Sequence, residues 1–389
     1  MPLLRRLRYL PSLLPQWARL PTYRVGDLIA NLVFPWVDVV WLRGQLQQAR
    51  EPARLLVAGS QPWANYLPER MLQSGFTIEP VVRVRIPSLP RVLQAHREQA
   101  DLVVVRMDRG WTRLTADSAY LRVPEWLCAF VDLPDDLEAY LHGNDSRDSD
   151  VRRLRSKGYT YEISQSVQDL DIFYEHFHAP LVRRRHGAQA AVAPRWVLRH
   201  WLSHGGLLWV LHQGRRVAGA IFVFEAGGLH LLSAGCEDHP EARAGFAGIY
   251  VFLWSHAHGL GIRRMNLGGT RPTSRDGAFR YKRKWGARFA EKTDQYADMH
   301  LWWQRPSPAL RELLQHTPLV FRDRVGLSQI AALPEKGQSH ALAKDLRSPG
   351  LQRIVLLDGE TSGVGPADVT RLDPLCCRSS RQLLWALGC

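Results

Sequence analysis

The chain has 389 residues, 46% hydrophobic and 23% charged, which gives length for two domains with cores of their own and excludes a disordered polymer. Its 51 Lys and Arg against 37 Asp and Glu leave a net charge of +14, pointing to anionic partners: nucleotide phosphates, tRNA or an anionic lipid surface. The five cysteines, Cys128, Cys236, Cys376, Cys377 and Cys389, show no CxxC or Cys/His spacing, which argues against a disulfide framework or a zinc motif and predicts a reducing, cytoplasmic setting.

The first 19 residues are basic and apolar, broken by Pro11 and Pro15, and read as a terminal arm suited to peripheral contact with the inner membrane surface or with tRNA. No transmembrane segment is predicted, because Leu28–Leu42, the most apolar stretch, is too short and contains Asn31, Pro35 and Asp38. Residues 20–120 read as a first α/β lobe. It has strands at Arg54–Gly59, Val81–Ile86 and Asp101–Met107, and helices at Gln61–Ser74 and Leu89–Gln99, with Pro21–Trp41 packed beneath.

Residues 121–300 read as a second domain. Leu121–Leu133 is a strand-like connector, and Asp135–Lys157 a charged helix stopped by Gly158. Tyr159–Ser164 alternates as a strand, and Val167–His186 carries Leu170, Phe173, Phe177 and Leu181 at helical spacing. A helix at Pro194–Ser203 precedes three strands joined by tight turns: Gly206–His212, Val217–Phe224 and Leu229–Gly235. An apolar helix, Phe246–His258, follows the loop Cys236–Ala244. A strand after such a crossover runs parallel to the one before it, so the sheet must be mixed. Residues 301–389 form a C-terminal extension with a helix around Leu310–Leu314 and a strand at Arg353–Leu357; its purpose is not legible.

The densest stretch is Met265–Gly286. It leaves a strand through Gly268 and Gly269, passes a polar turn and enters a basic, aromatic helix, Ala278–Trp285. Strand ends followed by glycines are where α/β proteins place ligands.

The element order from Tyr159 to Met299, with Ser233-Ala234-Gly235, Asn266-Leu267-Gly268-Gly269 and Asp276-Gly277-Ala278-Phe279-Arg280-Tyr281-Lys282 before Trp285-Gly286, resembles the GNAT acyltransferase fold, FemAB-like or CelD-like branch. Tyr281-Lys282 and Trp285-Gly286 are similar to that branch's Phe-Lys…Phe-Gly signature. The resemblance implies an α/β, mixed-sheet fold with two tandem GNAT-like lobes, residues 20–120 being a degenerate first lobe. It also implies N-acyl transfer from acyl-CoA, or from aminoacyl-tRNA, to an amine of a small molecule, peptide or cell-envelope precursor. The tRNA-side helical arm of some Fem-type enzymes is missing, which tilts the donor to acyl-CoA. The GNAT pyrophosphate loop is only approximated, by Arg243-Ala244-Gly245-Phe246-Ala247-Gly248.

Acyl transfer to an amine needs a deprotonated amine, a held carbonyl and a stabilised oxyanion, and none of these requires a metal. Lys282, whose counterpart lines the Fem-type substrate site, is the first candidate to neutralise a donor phosphate or the oxyanion. Tyr281 stacks on substrate or packs in the core. Arg271 and Arg184 suit phosphate or carboxylate. Asp276 orients the amine or, more simply, caps the following helix. Gly245 and Gly248 at a helix N-terminus, with Arg243, suit a pyrophosphate or a tRNA 3′ end. Glu241 is a candidate base, beside Asp238 and His239. The competing reading is a non-catalytic RNA- or membrane-surface-binding protein on the same scaffold.

Overall fold

The computed structural model describes residues 36–46, 52–59, 76–108, 120–186, 192–292, 297–304, 307–333, 345–357 and 369–372, together with Leu14, Ala18, Thr22, Val25, Leu72 and Leu342. The basic arm except Leu14 and Ala18, the helix expected at Gln61–Ser74 except Leu72, and Cys376, Cys377 and Cys389 lie outside the described residues. The chain divides into two compact units. One comprises Met1–Thr22, Cys128–Gly269 and Tyr281–Arg288; the other comprises Tyr23–Leu127, Thr270–Arg280 and Phe289–Cys389.

In chain order the elements begin with β1 (Trp36–Gly44), β2 (Ala53–Gly59), β3 (Thr77–Arg85), α1 (Leu89–His96), β4 (Leu102–Asp108), β5 (Leu121–Pro124) and β6 (Leu127–Asp132). Part of the segment expected to lie beneath the first lobe is β1 itself, paired on both sides, with β2 and with β3. The expected single connector is two strands, separated by Glu125 and Trp126.

There follow α2 (Leu137–His142), α3 (Asp145–Ser156), β7 (Tyr159–Ser164) and a long helix in three parts: α4 (Val167–Ile172), a π-helical turn (Phe173–His178) and α5 (Ala179–His186). The charged helix expected over Asp135–Lys157 is split because Asn144 caps a new start, its Oδ1 accepting from Ser146 N and Arg147 N. The π turn has a cause in Pro180: with no N–H it cannot bond the His176 carbonyl, and Ala179 N–H reaches back to Tyr174 O instead. Next come α6 (Arg195–Leu202), β8 (Gly205–His212), β9 (Arg215–Glu225), β10 (Gly228–Cys236), α7 (Pro240–Gly259) and β11 (Arg264–Thr270).

The last elements are α8 (Gly277–Lys284), β12 (Arg288–Glu291), β13 (Ala297–Trp302), α9 (Pro308–His316), β14 (Leu319–Arg322), β15 (Leu327–Ala332), β16 (Ile354–Leu357) and β17 (Val369–Leu372). The sequence predicts α9 and β16 in this region but not β14 or β15, which are short and, Arg322 apart, buried throughout.

In the second unit one sheet of ten strands runs β17-β16-β15-β14-β5-β13-β4-β2-β1-β3. Its two faces follow the two-residue period of a strand. Leu55, Val57, Leu102 and Val104 pack on one side with α9's Leu310, Leu313 and Leu314; Leu56, Ala58, Val103 and Val105 pack on the other with α1's Leu89 and Leu93.

In the first unit the strands run β6-β11-β10-β9-β8-β7. Phe173, Phe177, Leu198 and Leu202 cover one face over Leu207, Trp209 and Ile221. On the other, α7 lies close: a Cβ on Gly245 would stand 2.8 Å from Val217 Cγ2, and one on Gly248 3.0 Å from Val210 Cγ1. Among the described residues no helix is long and apolar enough to cross a membrane.

Candidate functional site

Strands β10 and β11 are parallel partners for three residues only, Gly228↔Arg264, Leu229↔Met265 and His230↔Asn266. Beyond that they part, while β10 stays registered on β9 to Cys236 through a bulge between Leu231 and Ser233. The cause on the β11 side is local. Asn266 Oδ1 takes the Gly268 N–H at 2.9 Å, and Gly268 adopts φ +75°, a conformation that favours glycine. A Cβ there would come within 3.2 Å of Leu231 O.

The parting exposes a backbone edge. Glu237 N–H donates to Val217 O, and antiparallel pairing repeats that orientation at every second residue. Gly235 therefore faces β9, whereas Ala234 and Cys236 turn N–H and C=O to the edge that β11 has left.

Lys282 stands at the apex of this opening. It is only 7% exposed, and its Nζ donates to Gly269 O at 2.6 Å. The end of α8 that carries it is closed by paired bonds, Gly286 N to Arg283 O and Ala287 N to Lys282 O, with Gly286 at φ +81°. Gly286 also admits Tyr140, whose hydroxyl donates to Trp285 O at 2.9 Å; a Cβ on that glycine would lie 2.0 Å from it. Lys284 pairs with Asp150 at 2.5 Å. Lys282 is thus held on a helix end fixed at three points.

At the other end of the edge stands a residue the sequence reading did not single out. His178 is 6% exposed, and its Nδ1 lies 3.1 Å from Ala234 O. The π turn that carries it presses on β10, since a Cβ on Gly235 would meet the Phe177 carbonyl carbon at 2.6 Å and His178 N at 2.7 Å. A carbonyl only accepts, so Nδ1 carries the proton and Nε2 the lone pair. Nε2 is buried with no hydrogen-bond partner among the described residues. Burial holds the imidazole pKa below its ordinary value, against a smaller opposite effect of the Ala234 bond. The available sequence signal was Pro180 inside a helical pattern.

The other candidates fall as follows. Gly268 and Gly269 meet Lys282. Tyr281 packs between Phe246 at 5.7 Å and Tyr250 at 5.2 Å, and burial raises its hydroxyl pKa. Arg185, next to Arg184, lies over the Phe246 ring at 5.0 Å. Asp276 and Arg271 belong to the second unit. Asp276 Oδ1 caps α8, accepting from Ala278 N and Phe279 N, and receives Thr270 Oγ1 at 3.4 Å. The Arg271 guanidinium lies over Trp126 at 3.8 Å.

The loop between β10 and α7 is acidic and internally satisfied. His239 Nε2 meets Glu237 at 2.6 Å and its Nδ1 meets Glu241 at 3.0 Å; the Glu237 bond is the main cause raising its pKa. His239 also caps α7 toward Ala242 N, and Pro240 at the first turn has no N–H to offer. Arg184 pairs with Asp238 at 3.3 Å, and Arg243 stands 4.0 Å from the same carboxylate. Because α7 begins at Pro240 rather than at Phe246, Gly245 and Gly248 lie inside the helix against the sheet, not at its N-terminus. Among the described residues no His, Cys, Asp or Glu group of three converges as metal ligands would.

The succession strand, helix, helix, three antiparallel strands, helix and parallel strand gives the first unit a mixed α/β fold with a GNAT-like order of elements. No family model matches the chain, and no curated protein does. Among solved structures it is similar to FemX at 12% identity and TM-score 0.37, over 69% of this chain and 89% of that one. It is similar to the C-terminal domain of a putative lysylphosphatidylglycerol synthetase from Agrobacterium fabrum at 15% identity and TM-score 0.32, over 67% and 80%. A GCN5-related N-acetyltransferase from Sphaerobacter thermophilus is similar at 14% identity and TM-score 0.30, over 67% and 76%. The fold assignment rests on this chain's own strand order and connectivity.

Proposed function

We propose that the chain is an acyltransferase that moves an acyl or aminoacyl group from an activated donor to an amine. The observation that carries this is the parted edge of β10, with the Lys282 ammonium at its apex. A donor carbonyl lying along that edge would find backbone donors on one side and a fixed cation at one end, and such preorganised groups stabilise a tetrahedral oxyanion.

Of the two donors, the aminoacyl ester of a charged tRNA suits the β10–α7 loop better than acyl-CoA. A diphosphate brought there would face Glu237, Asp238 and Glu241 and a helix start already capped by His239. The net charge of +14 suits the tRNA body. Acceptance of an amine of a peptide or envelope precursor, in the cytoplasm or beside its membrane, completes the reading.

The test compares transfer from acetyl-CoA and from alanyl-tRNA to a primary amine, with wild type and Lys282→Met. Methionine keeps the buried stem and removes the charge. Expected are transfer from alanyl-tRNA, a fall in kcat of about 10²–10³ in the variant, the scale of one lost oxyanion contact, and an unchanged Tm. A fully active variant would remove Lys282 from the chemistry. Saturable RNA binding without transfer from either donor would support the non-catalytic RNA-binding reading instead.

A further inference from the structure

The open edge of β10 has two ends, and only one is accounted for by Lys282. The other is held by His178. Three steps along the strand lead from Leu231, beside Gly268, to Ala234, so the two side chains mark out about 10 Å of strand. A donor ester and an attacking amine fit within that length.

Three independent features set this histidine apart from one that merely fills a core. A buried polar atom with no partner is costly to keep, and His178 Nε2 is such an atom among the described residues. The tautomer is fixed by the Ala234 carbonyl, so the unpaired nitrogen is the basic one. The backbone carrying it departs from α-helical geometry at this turn, and π-helical turns inside helices occur frequently at functional sites. The ring is steadied by Phe173, stacked at 5.7 Å, and by Tyr174 at 6.4 Å.

We propose that His178 is the general base of the transfer, a proposal that rests on the acyltransferase reading. The amine nitrogen attacks the donor carbonyl carbon and the new C–N bond forms. His178 Nε2 takes the proton that the nitrogen sheds on attack; an acceptor that arrives as its ammonium first loses one more proton, passed through the same Nε2 to solvent. The tetrahedral intermediate then collapses with cleavage of the C–O ester bond, and the departing alkoxide receives the proton from the imidazolium. Base and leaving-group acid are one residue, so the imidazole ends as it began and no other reactant is needed.

The experiment uses His178→Asn, whose side-chain amide can still donate to Ala234 O but has no basic lone pair. Two acceptor amines are compared with alanyl-tRNA: ethanolamine, which is protonated at neutral pH, and hydroxylamine, which is not. General-base assistance is worth about 10²–10⁴ in rate. The expected result is a loss of that size with ethanolamine, a loss at least tenfold smaller with hydroxylamine, and an unchanged Tm. A purely structural role would reduce both amines equally, and that outcome overturns the proposal. Wild type that transfers normally beside an H178N variant within threefold of it also overturns the proposal, while leaving acyl transfer intact. Wild type that transfers to neither amine overturns the acyltransferase reading and this assignment with it. A measurement free of activity is the imidazole nitrogen NMR signature of the wild type. Expected is the Nδ1–H tautomer for His178; an Nε2–H tautomer refutes the assignment.

Discussion

Two buried histidines illustrate what a single side chain can and cannot say in advance. His178 and His300 are each about as buried as the hydrophobic residues around them, and each has an Nε2 without a hydrogen-bond partner among the described residues. His300 lies in the second unit, where burial, helped by Arg122 and opposed by Asp298, pushes its pKa down to about 4. Unfolded histidine titrates near 6.5, so below that pH the unfolded chain takes the proton first. Stability from neutral His300 is therefore present above about pH 6.5 and is lost as pH falls toward 4, by about 3 kcal/mol at the lower end. Urea midpoints measured from pH 7 to 4 should fall more steeply for wild type than for His300→Leu. Equal slopes would place the acid sensitivity elsewhere. Asp276 shows the opposite case of legibility: its role as a helix cap could be read from Asp followed by Gly-Ala-Phe, because a cap is satisfied within three residues.

At the scale of elements, what could be read depended on how local the cause was. The three antiparallel strands of the first unit were legible because their turns, at Gln213-Gly214 and Ala226-Gly227, take positive φ where short glycine turns are expected. The start of α7 was missed by six residues because Pro240 and its histidine cap look like loop chemistry until the helix is seen. The π turn has a local cause, Pro180, but its consequence is distant, a contact with β10 some 56 residues on. Pro180→Ala restores the missing N–H and should regularise the helix, raising or preserving thermal stability. It should also displace His178 and lower the transfer rate at least tenfold. Circular dichroism melts together with the ethanolamine assay check this, and full activity in a regularised helix would disconnect the turn from the chemistry.

For the molecule as a whole, charge and topology divide the labour. The surplus of 14 positive charges is a property of composition and survives any arrangement of the chain. If it serves a nucleic-acid donor, tRNA affinity should fall linearly on a log–log plot against salt, with a slope reflecting several phosphates released from their counterions. Fluorescence anisotropy between low and physiological salt measures it; a flat dependence would point away from a polyanionic donor.

Taken alone, the sequence determined the mixed α/β class and the order of strands and helices from Tyr159 to β11, and it singled out Lys282 within a glycine-flanked basic helix as a candidate. These follow from periodicity, turn chemistry and composition, which act over a few residues at a time. Tertiary structure alone decided that β13–β17 share a sheet with β1–β5. It also decided that β10 and β11 separate after three pairs, and that a histidine 56 residues upstream lies on the edge they leave. Strand pairing is set by which distant segments bury their faces together, and a backbone edge becomes a site only where an expected partner is missing.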